Sequence, residues 1–282
     1  MNHTHKTWTR LGLGSAVASA ALLTACQPQA TDAPVEAAPA ATTETTTTPA
    51  APAEATELAS QSGEGEGGVA IEAAATDPVV FNAALAITEA HILAARDAYA
   101  EGEVEAAAEM FAHPVSEVLF DMEPIFETLG VPLFDNLLTE TSAASLAGES
   151  PEQIAARTDT IIDALRRSAA YAPEDGRTPA EITAAVISDQ IDRASVMYRI
   201  AASGVEYEPY LDGYGFYVVA RNMFADAESA ILAADPEAAA AISQALDLMA
   251  DAYPTATRPD ALDKDISAIT VAASNVILAV SN

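Results

Sequence analysis

The 282-residue chain has one cysteine, one tryptophan, four histidines, and 12 Lys and Arg against 42 Asp and Glu. A lone Cys26 excludes an intrachain disulfide framework and any multi-cysteine metal site. The formal charge of −30 creates a field that repels nucleic acid and anionic membrane surfaces and attracts cations. No GxSxG, P-loop, HExxH or EF-hand loop occurs, so no hydrolase, nucleotide or calcium chemistry has a motif to rest on. Carboxylates are so dense that spacing cannot single out a glycosidase pair. Aromatics make up only 6% of the chain, and runs of β-branched residues are rare.

What is present begins with an address. Lys6 and Arg10 precede an uncharged stretch, Leu11 to Ala25, close to the ~7–15 residues of a secretory apolar region and short of the roughly 20 that span a bilayer. Leu23-Thr24-Ala25-Cys26 closes it and resembles the lipobox of bacterial lipoproteins. That resemblance implies a signal peptide, residues 1–25, cleaved before Cys26, whose sulfur carries lipid with palmitate-like acyl chains. Several such chains anchor stably, at about 0.8 kcal/mol per buried methylene. Gln27, rather than aspartate, follows the cysteine, which for a lipoprotein implies the outer membrane, facing the periplasm. Cleavage would also remove His3, His5 and Trp8.

Residues 26–75 are mostly Ala, Pro, Thr, Glu, Ser and Gly, as in Thr45-Thr46-Thr47-Thr48 and Gly63-Glu64-Gly65-Glu66-Gly67-Gly68. With few large apolar side chains they cannot offset the entropy of ordering, so the expectation is a disordered tether after the lipidated N-terminus. Residues 76–282 form an acidic all-helical domain. Ala, Leu, Ile, Glu and Asp dominate there, and apolar residues recur three and four apart.

Local start and stop signals divide the domain. Asp77-Pro78 opens a helix ended by Gly102, and a short helix runs from Glu103 to Ala112. Pro114 is read as the first residue of the next helix, with His113 as its N-cap and Gly130 as its end. Ser150-Pro151-Glu152-Gln153 and Thr178-Pro179-Ala180-Glu181 are capping boxes. Glu208 to Ala234, Asp235-Pro236 to Tyr253, and Asp263 to Val280 complete the set. The prediction is an all-α, antiparallel bundle of eight or nine helices.

His91 and His113 are the two histidines beyond the leader. Glu117 and Asp121 follow His113 by four and eight residues, so the three share one face of a regular helix. If the helices fold back, both imidazoles and a carboxylate could hold zinc or iron. The bland reading makes His91 a hydrogen-bonded core residue and leaves Glu117 at the positive end of a helix. The segment Phe111-Ala112-His113-Pro114-Val115-Ser116-Glu117 is faintly similar to the G-x-H-x-x-E signature of imelysin-like periplasmic iron-uptake proteins, here with glutamate at the fourth position after histidine. That similarity implies metal binding by His113 and Glu117.

Tyr210, Tyr214 and Tyr217 fall on one helical face, with Gly213 and Gly215 allowing close approach. They either line a pocket or interface or form an aromatic core layer. The functional expectation is a lipid-anchored, non-enzymatic binding or interaction module of the cell envelope. Its partners are the membrane through Cys26 and an envelope protein or small ligand, not nucleic acid. No cofactor is expected on this reading. The alternative is a metal- or haem-binding protein using His91, His113 and nearby carboxylates, as an iron-uptake accessory or a metalloenzyme.

Overall fold

The structure is a computed structural model that describes residues 68–281; the expected signal peptide, Cys26 and most of the expected tether lie outside the described residues. Among the described residues the chain is all-α, an antiparallel bundle without strands. Its helices are α1 (Pro78–Glu101), α2 (Val104–Pro114), α3 (Phe120–Leu129), α4 (Asp135–Leu146), α5 (Pro151–Ala169), α6 (Pro179–Ser203), α7 (Glu208–Ala234), α8 (Pro236–Ala252) and α9 (Ile266–Val280).

Caps fix the ends of these helices. Asp77 accepts from the backbone N–H of Val79 at 2.8 Å, and Pro78 supplies a first-turn φ. At the other end of α1, Gly102 adopts φ 95°, and Glu103 N–H donates to the Ala98 carbonyl at 3.0 Å, satisfying a carbonyl the helix leaves unpaired. Both capping boxes form, at Ser150 with Gln153 and at Thr178 with Glu181. Each cap is worth about 1 kcal/mol.

α1 is the axis of the bundle. It is long and apolar enough to cross a bilayer, yet 78% of its most apolar window is buried inside the protein. A helix apolar all round belongs at the centre of a core, and α1 touches α2, α5, α6 and α7. Phe81, Ile87 and Ile92 are wholly buried along it. α6 and α7 pair closely on one side, with α8 and α9 layered against them, while α4 covers α2 and α5.

Three sequence expectations are corrected here. The folded part starts before Thr76: Ile71–Ala75 form a 3₁₀ turn, Ala74 is buried, and Val69 and Ile71 pack on the core. These residues carry the apolar area that the Gly-Glu run upstream lacks. A helix, α4, occupies Asp135–Leu146, which carries no side-chain cap and was not marked as a helix. Pro114, finally, does not start a helix.

The chain instead stays helical from α2 through Pro114 into α3. Proline cannot donate to the carbonyl one turn back, and its ring crowds that turn. Val115–Leu119 accordingly widen into a single π turn, in which Phe120 N–H donates to the Val115 carbonyl five residues back. His113 thus sits in the last turn of α2, not at an N-cap.

Candidate metal centre

α1, α2, the π turn and α7 converge around His91. Its ring is buried, and Nδ1 lies 2.8 Å from the Ile87 carbonyl one turn earlier. A carbonyl only accepts, so Nδ1 carries the proton and Nε2 keeps a lone pair. That lone pair faces two carboxylate oxygens, Glu117 Oε2 and Asp212 Oδ1, each at 3.6 Å. Backbone anchoring of one imidazole nitrogen with the other left to face acids is the usual outer-shell arrangement of a metal-binding histidine.

The second imidazole stands beside the first. The rings of His91 and His113 are 6.4 Å apart, and His113 Nδ1 lies 3.8 Å from Glu117 Oε1 and 3.6 Å from Glu208 Oε1. Ligand atoms of His91, His113 and Glu117 all fall within 4.8 Å of one another. A tetrahedral ion with bonds of about 2.0–2.1 Å sets its donors about 3.3–3.4 Å apart, so the 3.6 Å pairs need close only slightly. Burial pushes the His91 pKa down, which leaves a proton a poor occupant of the space between ring and carboxylates.

Phe216 closes the apolar side of the site, edge-on to His91 at 5.9 Å, and the Arg193 guanidinium lies 5.9 Å over the Phe216 ring. Gly215 brings α7 against α1 here: a Cβ at that position would overlap the carbonyl of Ala90, the residue before His91. The close approach carries Asp212 to the imidazole.

Of the predicted set, His91, His113 and Glu117 come together. Asp121 does not: it is exposed and outside the converging group. The π turn is the physical reason, because its extra residue rotates everything after Glu117 away from the face that a regular helix would have kept. Asp212 instead lies beside His91 and Glu208 beside His113. Both stand in the tyrosine-rich stretch, four apart on one face of α7, a spacing that by itself says nothing of the distant histidines.

The tyrosines pack into the bundle. Tyr210 donates to the Thr255 carbonyl at 2.8 Å, Tyr217 stacks on Tyr253 at 6.2 Å, and Tyr253 donates to the Ala194 carbonyl at 2.6 Å. Tyr253 fills the space that Gly213 leaves open, so a Cβ there would strike its hydroxyl. Tyr214 turns the other way and donates to Asp97 of α1 at 2.9 Å. Burial raises the pKa of Tyr210, Tyr214 and Tyr253, as expected of phenols in a core layer. Comparison of the chain with protein-family models, with curated proteins and with solved structures returns no match.

Proposed function

We propose that this protein binds a divalent transition-metal ion through His91, His113 and Glu117, with Asp212 beside the His91 imidazole. The observation that carries the reading is the His91 lone pair, fixed by the Ile87 carbonyl and aimed at two carboxylates. His91, His113 and Glu117 bring their ligand atoms within 4.8 Å of one another. Mixed imidazole and carboxylate donors suit zinc or iron. The chain's charge of −30 concentrates cations around it. In this reading the leader and Cys26 place a metal-binding module on the periplasmic side of an envelope membrane, and the sequence after Cys26 spaces it from the lipid surface.

Equilibrium dialysis of the full chain against Zn(II) and Fe(II) in chelator-free buffer tests the proposal. At least one ion per chain is expected, and protein free of both metals after dialysis would overturn it. The pH dependence follows from His91. Its pKa is lowered from 6.5 by burial; Glu117, Asp212, His113 and Arg193 are the charged or titratable groups around the ring. The group is depressed in the fold, so its contribution to stability is complete above 6.5 and is lost as the pH falls through the lowered value. Zn(II) affinity is expected to hold through neutral pH. Below the His91 pKa it should fall by about tenfold per pH unit, because a proton must leave before the metal binds.

A further inference from the structure

α5 packs against α1 and α4 but makes no comparable contact with α6 or α7, so a groove floored by α1 runs between them. Two adjoining cavities make it up, sharing Asn82, Ala169 and Met223, with volumes of about 200 and about 320 Å³. The larger alone reaches the ~300–1,000 Å³ of small-molecule sites. Its lining is mostly apolar, with Pro179, Ile182, Val186 and Met223 along it. The smaller carries charge: Glu89 of α1, Arg166 of α5 and Asp226 of α7 line it beside Asn222. Glu89 is two residues from His91 and so about 200° around α1 from it, which sets this groove apart from the candidate metal centre.

Glu89 is half-buried and takes no hydrogen bond or ion pair among the described residues. Burial pushes its pKa up, the Arg166 guanidinium draws it partly back, and the Asp226 carboxylate adds to the rise. A half-buried carboxylate without a partner gains from a cationic ligand. Arg166 and Asp226 are exposed at the mouth, and no ion pair joins the guanidinium to either acid, so it is open to an anionic group. We propose that the groove binds a small zwitterion with a short apolar chain, an amino acid of the size and polarity of leucine. Its ammonium meets Glu89 and Asp226, its carboxylate meets Arg166, and its side chain lies along Ile182, Val186 and Met223. Asn82 stands where the two cavities join; its amide N–H donates to the Pro78 carbonyl at 2.7 Å, which leaves its oxygen as a further acceptor for the ammonium. A simple carboxylic acid would face two carboxylates here, and a simple amine would leave Arg166 unmatched. The site is independent of any metal ion at His91.

Isothermal titration calorimetry of the full chain, dialysed free of metal, tests this with three probes: leucine, 3-methylbutylamine, which is leucine without its carboxylate, and 4-methylpentanoate, which is leucine without its ammonium. Leucine is expected to bind at one per chain with a millimolar or tighter Kd. Each truncated probe should bind about tenfold more weakly or worse, because each loses a charge-assisted contact. Arg166→Ala, at an exposed helix position where the fold is undisturbed, should weaken leucine by a similar factor and leave 3-methylbutylamine unchanged. Glu89→Gln should weaken leucine and 3-methylbutylamine alike, with Zn(II) binding unaltered. No leucine binding, equal affinity for leucine and either truncated probe, or unchanged leucine affinity in Glu89→Gln would overturn the proposal, and none of these results bears on the metal-binding reading.

Discussion

Replacing His91 by alanine is expected to weaken Zn(II) binding by about 100-fold or more. Loss of a group that merely orients a ligand costs about 10–100-fold, and His91 is itself a ligand in this account. The effect should also appear in thermal unfolding. An ion at about 100 times its dissociation constant stabilises the native state by about 2.7 kcal/mol. For a folded region of this size that corresponds to a rise of about 5–10 °C in Tm. The rise should vanish in His91→Ala. Because His91 is buried, the same change removes packing as well, so His113→Ala supplies the control. That ring is a quarter exposed, against 6% for His91, so its loss should cost less metal-free stability than His91→Ala while weakening the binding. Equal metal-induced shifts in all three proteins would contradict the assignment.

Gly215→Ala is expected to destabilise the fold by about 3 kcal/mol or more, at the upper end of overpacking costs. The added methyl would meet the Ala90 carbonyl, a backbone group that cannot swing aside as a flexible side chain would. α1 and α7 must separate, lowering Tm by about 6–12 °C. The same separation draws Asp212 away from His91, so Zn(II) affinity should fall together with stability. Gly130→Ala provides the comparison: φ is 75° and a Cβ there meets nothing within 4 Å, which leaves a backbone cost of about 1–2 kcal/mol and no effect on the metal. Urea denaturation measures both variants. A loss below about 1 kcal/mol for Gly215→Ala would show that the two helices do not depend on this contact.

The helical class was legible because its signals are local. Asp77-Pro78, Ser150-Pro151, Thr178-Pro179 and Asp235-Pro236 each mark a helix start by side-chain chemistry within one turn, and each is a start in the fold. α4 was not legible: four Ser and Thr residues dilute its helix-forming pattern, no cap marks its start, and α2 and α5 hold it by packing. Pro114 misled for a related reason. Proline after a polar residue reads as a helix start, and only the continuous path of α2 into α3 turns it into the cause of a π turn. That turn explains why Glu117 comes beside the histidines and Asp121 does not. Asp212 and Glu208 meet the histidines across about a hundred residues of sequence, and nothing local announces such a meeting. Of the more conspicuous tyrosines beside them, Tyr210 and Tyr217 are buried in the core and Tyr214 is half-buried against it.

The claim that His91 faces a metal is tested most directly by crystals of the protein soaked in Zn(II), with anomalous differences recorded above the zinc absorption edge. The account predicts a peak about 2.0–2.1 Å from His91 Nε2, flanked by the carboxylates of Glu117 and Asp212. Zinc found only at surface carboxylates, with no peak beside His91 Nε2, would contradict it.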